Sequence, residues 1–227
     1  MKILGKFGFE FLSIFVAVIA AFALNNWNEN RKSTLAENKI LTEIHHGLIK
    51  DLKDIELNIL GHKAGIEAIS YFRDLTANKP VSEQEFVRHY FCLMRDFISV
   101  QNVSGYETLK SRGLELIKDD NVRSKIIAIY EYDYSTLKKL EEDYSELQFQ
   151  ENYFEDLNRL FSPNFKFNEN NQLIGINAPI TLSENDKKLI LSYLWKIEVN
   201  RNFILSYNIE VKKKIEELKT EIKKEIN

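Results

Sequence analysis

The chain has 227 residues, 44% of them hydrophobic and 29% charged, with a net charge of -3 at pH 7. This size and balance fit one ordered domain plus an anchor, and the lack of concentrated basic charge excludes a nucleic-acid partner. The lone Cys92 excludes an intramolecular disulfide and a cysteine-based zinc site, while 8 Gly and 3 Pro leave few chain breakers, so the composition points to long helices.

From Phe7 to Leu24 every residue is apolar or small except Glu10. Counted from Ile3 the run makes about 22 residues, or roughly 33 Å of helix, which crosses a bilayer core. Trp27 stands where an interfacial aromatic belongs, among Asn25, Asn26, Asn28 and Glu29 and before Arg31 and Lys32. Two other readings fit the same residues. Lys2 and Lys6 followed by Ala21-Phe22-Ala23 resemble an export signal with its cleavage site, and a buried core helix can also be this apolar. Glu10 interrupts the apolar region of such a signal, and no Gly or Pro separates the run from the next helical segment. We therefore expect an uncleaved anchor over residues 1–27 and a helical soluble domain over residues 28–227.

Glu10 is costly in hydrocarbon unless it is protonated, paired or near the interface. Lys6, four residues earlier on the same helical face, can pair with it while reaching outwards. The alternative is a polar contact between spans of an oligomer, or part of an ion path.

Beyond Trp27, Leu41, Ile44, Leu48, Leu52, Ile55 and Ile59 recur at intervals of three and four, and Ile66, Ile69 and Phe72 continue the face. This predicts one long amphipathic helix or two in line, with any interruption at Gly61 and Gly65 and an end at Lys79-Pro80. Ser82 and Glu85 read as a capping box, with Val81 and Phe86 as its staple, opening a helix that runs to about Val100. Ser104 and Glu107 read as a second box opening a short helix. Asp119-Asp120 then starts a helix of roughly 40 residues in which Tyr130, Tyr134, Leu137, Leu140, Tyr144, Leu147, Phe154, Leu157 and Phe161 keep the rhythm.

Ser162-Pro163 ends that run. Phe165 to Phe167 and Leu173 to Ile176, around Asn168 to Asn171, read as a small β-hairpin within residues 164–177. Ser183 caps a final helix carrying Leu194, Ile204, Val211, Ile215, Leu218 and Ile222, whose narrow seam suits packing on another helix of the same chain. The expected fold is all-α: a transmembrane helix continuing into an antiparallel bundle of long helices, with the hairpin as its one β element.

Asn25-Asn26-Trp27-Asn28-Glu29 after an apolar helix, together with Tyr106 to Ile117 (YETLKSRGLELI), resembles a bacterial family of uncharacterised single-span proteins with a helical domain. Members often carry a glutamate early in the span, as Glu10 is here, and a longer basic N-terminal tail, which this chain lacks. The resemblance covers the whole architecture and brings no activity with it. It implies a bacterial membrane protein, here expected in the inner membrane; the missing longer tail is the feature that would imply an inside N-terminus. A short basic tail before a signal-like apolar run is the usual form of an uncleaved signal anchor, which places the N-terminus inside and the domain on the exported, periplasmic side. The basic residues flanking the span, Lys2 and Lys6 against Arg31, Lys32 and Lys39, are nearly balanced.

Motifs for chemistry are sparse. Glu43-Ile44-His45-His46 contains one Glu-x-x-His, whereas di-metal bundles need two plus glutamates from further helices, so no metal or other cofactor is expected. Phosphate loops, His-Glu-x-x-His and G-x-S-x-G do not occur. Glu141-Glu142 reads as solvated helix charge. Tyr106, Glu107, Lys110, Arg112 and Gly113 form the remaining candidate: either a packing corner, with Tyr106 in the core, Glu107 closing its box and Gly113 permitting close helix approach, or a polar-aromatic pocket for a ligand or partner. The expected function is a non-enzymatic interaction or scaffold protein with the bilayer and a protein partner or a second copy as its contacts. Ligand sensing through a partner and an oligomeric channel using Glu10 are the alternatives.

Overall fold

The computed structural model describes the backbone of residues 2–226 and the side chains of residues 11–226. Helix α1, Lys2–Thr76, has 75 residues without a break, a length of roughly 110 Å. From residue 11 to residue 32 nothing else in the described chain covers it. From Glu37 onwards one seam is buried at strict four-three spacing: Glu37, Leu41, Ile44, Leu48, Asp51, Ile55, Asn58, His62, Gly65, Ile69, Phe72 and Thr76.

The bundle has four tracks running up, down, up and down relative to α1. The second descends through α2 (Phe86–Met94), an extended strap over residues 95–103, and α3 (Ser104–Arg112). The third ascends through α4 (Asp120–Ile127), a π-helical segment Ala128–Asp133, α5 (Tyr134–Lys138), a second π segment Lys139–Asp143, and α6 (Phe149–Phe161). Strands β1 (Phe165–Phe167) and β2 (Leu173–Ile176) pair antiparallel at the far end, Phe165 opposite Ile176. Helix α7, Glu184–Ile226, then descends along α1. The antiparallel pairing is marked by Arg73 with Glu198 at 2.5 Å near the far end and Lys212 with Glu56 at 2.9 Å nearer the apolar stretch of α1.

Two apolar clusters fill the bundle. The proximal one, nearer the apolar stretch of α1, joins Ile40, Ile44 and Leu48 to Tyr130, Leu137, Ile215 and Ile222. The distal one joins Ile69 and Phe72 to Phe86, Phe161, Ile176, Leu194 and Ile197. Side chains of this size stabilise by about 1.5–3 kcal/mol each when fully buried, so the clusters provide the main cohesive term at both ends.

The all-α expectation, the hairpin and the final helix hold. Ser183 caps α7 reciprocally: its Oγ accepts from the Asp186 N–H at 3.1 Å and donates to the Asp186 carboxylate at 2.7 Å. Asp119 caps α4 by accepting from the Val122 N–H at 2.8 Å. Of the two readings of α1 the single helix holds: Gly61 and Gly65 do not interrupt it but are docking positions, since a Cβ would lie 2.3 Å from Phe97 and 2.5 Å from Arg201. Other expectations are corrected.

Neither proposed capping box forms. Ser82 instead offers its carbonyl to the Tyr71 hydroxyl at 2.9 Å, and the Ser104 hydroxyl donates to the Asn102 side chain at 3.0 Å. The helix opened near Ser82 ends at Met94, not Val100, because the chain beyond it becomes the strap. The roughly 40-residue helix is interrupted: Tyr144 is extended at φ -85° and ψ 95°, and the two π segments before it turn Asp133 and Glu141 into the interior. Glu141 is therefore buried, not solvated.

Candidate functional site

Of the membrane residues singled out by sequence, Lys6 and Glu10 lie outside the described side chains. Trp27 is exposed on α1, with the Arg31 guanidinium 5.7 Å from its ring centre. An aromatic ring backed by a cation one turn later suits a bilayer interface.

Tyr106, Glu107, Lys110, Arg112 and Gly113 all lie on or just after α3. Tyr106 is buried and stacks on Tyr130 at 4.6 Å, while its hydroxyl donates to Glu131 at 2.8 Å. Lys110 reaches the same carboxylate at 3.0 Å and lies 5.5 Å from the centre of the Tyr106 ring. These two donors hold Glu131 below the usual carboxylate range, and burial followed by the Glu131 contact raises the Tyr106 phenol. Glu107 and Arg112 face solvent. Gly113 does not serve close packing, because open space surrounds its Cβ position; its φ of +99° ends α3 in a conformation that disfavours L side chains. The corner ties α3 to the first π segment.

The larger polar constellation lies between the two apolar clusters, where the strap crosses the bundle. An extended chain cannot satisfy its own amides, and buried amides need partners. Carboxylates from other elements supply them: Glu141 accepts from the Ser99 N–H, Asp54 from the Val100 N–H and Asp51 from the Asn102 N–H, each at 2.7 Å. In return the strap's own Asp96 accepts from the Phe149 N–H at 2.7 Å. Tyr134 adds a hydroxyl bond to Asp51 at 2.7 Å and Asn208 an amide bond to Glu141 at 3.2 Å. Burial pushes the carboxyls of Asp51, Asp96 and Glu141 up, Asp51 to about 6, although each hydrogen bond opposes the shift.

Arg201 on α7 completes this layer and is fully buried. Its Nη2 donates to the carbonyls of Cys92, Leu93 and Arg95 at 3.0, 2.8 and 3.0 Å, closing the C-terminal end of α2 as the strap begins. Its guanidinium lies over Phe149 at 4.1 Å. Nη1 is 3.3 Å from Nδ1 of His62. Because arginine only donates, Nδ1 accepts and Nε2 carries the imidazole proton. Burial, then the Arg201 charge, pushes His62 down to about 3, so it is neutral at physiological pH.

Chemically, this layer fixes backbone. Its acids point at amides, Arg201 at carbonyls and at His62, while Nε2 of His62 and Nε of Arg201 are buried without a hydrogen-bond partner. A shallow groove of about 340 Å³ runs beside it, lined by Leu57, Asn58, Phe91, Phe97 and Ile98 with Asp54 and Arg95. Among the described residues no three His, Cys, Asp or Glu side chains converge with metal-binding spacing.

The sequence reading missed the layer, yet a signal existed. On α7 the heptad seam Leu194, Ile197, Arg201, Ile204, Asn208, Val211 places two polar residues at core positions, and the α1 seam does the same with Asp51, Asn58 and His62. Polar residues at such positions select register at a cost in stability. Following only the apolar members of each stripe hid them. No known protein family, curated protein or solved structure matches the chain.

Proposed function

We propose that this chain is a single-pass membrane-anchored helical protein of the bacterial inner membrane whose bundle, on the periplasmic side, acts as a non-enzymatic interaction or scaffold module. One observation carries the reading: α1 passes without a break from an apolar stretch that nothing in the described chain covers into the buried seam of the bundle. A core helix of such hydropathy is ordinarily covered by its neighbours. Helical continuity carries the anchor directly into the bundle, with no flexible linker between them, which favours a set height for the bundle. The non-enzymatic assignment draws support from the polar layer, whose titratable groups are engaged in tying the strap.

Alkaline carbonate extraction combined with N-terminal mass mapping tests the anchor. The chain is expected to stay in the membrane with its N-terminus intact; recovery of a soluble chain beginning near Leu24 would establish an export signal instead. Reporter fusions after Asn227 decide the side, and activity of a cytoplasmic reporter alone would reverse the topology.

A further inference from the structure

Along the outer side of α7, Leu191, Trp195, Val199 and Phe203 are all exposed, Trp195 by 61%. Their spacing of four makes them one ridge, because side chains four apart on a helix are neighbours. Ser192, Asn202 and Ser206 fill the positions beside the ridge without charge, and all three are exposed. Of the flanking charges, Glu198 pairs with Arg73, Lys196 with Glu146 and Lys187 with Glu184, and exposed Lys188 borders the ridge one turn before Leu191. An apolar ridge with a tryptophan and a mostly paired rim has the composition of an interface core.

We infer that this ridge packs against the same ridge of a second copy of the chain. The inference rests on the anchored reading, which supplies its main geometric argument. Arg201 and Glu198 on α7 lie level with Gly65 and Arg73 on α1, so the ridge stands roughly 55–70 Å along α1 from Trp27. A second copy anchored by the same helix presents the same ridge at the same height and in the same direction, as a two-fold axis along the membrane normal requires. An unrelated partner has no such match built in. The four apolar side chains carry no charge to repel their own image, and Lys188 stands at the end of the ridge, outside its centre.

The four side chains expose roughly 400 Å² per copy, about half of what a stable soluble interface buries on each partner. Confinement to one bilayer raises the effective concentration enough for a contact of this size. The contact is therefore expected to be firm in the membrane and weak in dilute solution.

The test is disulfide cross-linking in native membranes, using the full chain with Cys92→Ser and Val199→Cys; the same chain carrying Lys63→Cys, an exposed site on α1, is the control. Covalent dimer is expected at position 199 and not at 63. Adding Trp195→Glu, or separately Phe203→Glu, is expected to weaken association by roughly tenfold or more, since central aromatics dominate such contacts. Both side chains are exposed, and unchanged helical circular dichroism and melting temperature show that each variant folds. Equal cross-linking at 63 and 199, insensitivity to both glutamates, or a cross-link at 199 to a different protein would each overturn the dimer. Carbonate extraction of the same membranes separates the two claims: a chain that is released removes the anchor and with it the height match, whereas a retained chain that does not cross-link at 199 removes only the dimer.

Discussion

Asp51 and His62 sit three seam positions apart on α1 and titrate in opposite senses. His62 is pushed down from 6.5 to about 3 by burial and by Arg201. The unfolded chain therefore takes up this proton first, and the stabilising contribution of neutral His62 is complete above pH 6.5 and lost as pH falls towards 3. Asp51 is pushed up from 3.8 to about 6 by burial, against the bonds from Tyr134 and Asn102 and with Asp54 and Lys50 nearby. Its contribution is complete below pH 3.8 and lost as pH rises through 6. Between pH 6 and 4 the two trends oppose each other and flatten the stability profile. Asp51→Asn removes one of them, so the melting temperature of the detergent-purified variant is expected to fall more steeply from pH 6 to pH 4 than that of the parent. Parallel profiles would show that Asp51 does not hold its proton in the fold.

At the scale of elements, the third track shows where a helical rhythm stops being sufficient. The three-four spacing from Tyr130 to Phe161 is real, and most of its members are buried. Spacing does not record that the acidic side chain of Glu141 finds better partners inside, in the Ser99 amide and the Asn208 side chain, than in solvent. Those partners are 42 and 67 residues away, beyond any local pattern. Turning Glu141 inward accompanies the π segment and the break at Tyr144, after which α6 needs a new start.

Gln148 at its N-terminus makes no side-chain cap; Asp96 of the strap caps Phe149 and Gln150 instead. By contrast the caps at Asp119 and Ser183 are local, and both were readable from the residues alone. The tertiary cap has a separate consequence. Asp119→Ala is expected to cost about 0.5–2 kcal/mol, the usual value of a local cap. Asp96→Ala is expected to cost more, because it also unties the strap from the third track and removes the carboxylate near Arg201. Hydrogen exchange read by mass spectrometry distinguishes them: Asp96→Ala is expected to speed exchange at the start of α6 and in the strap, Asp119→Ala only at the start of α4. Unchanged protection of α6 in Asp96→Ala would show that this cap does not hold it.

For the molecule as a whole, the question is how far the bundle depends on the helix that carries it. Among the described residues the first buried one is Glu37, which accepts from the Lys118 N–H at 2.8 Å, and Lys118 also reaches the Thr34 hydroxyl at 2.8 Å. Residues 11–32 are uncovered. A cut between residues 33 and 34 thus crosses no cluster, severs none of these contacts, and leaves both seams whole. Residues 34–227 expressed alone are expected to form an all-α domain that is monomeric at low concentration and weakly dimeric at high concentration, because the Trp195 ridge remains while the confinement that the proposed anchor supplies is gone. Circular dichroism dominated by strand, or aggregation in the absence of the anchor, would mean that α1 needs its apolar half to hold the seam in register. A tight dimer that persists at nanomolar concentration would contradict the modest contact area on α7 and require a larger interface elsewhere on the bundle.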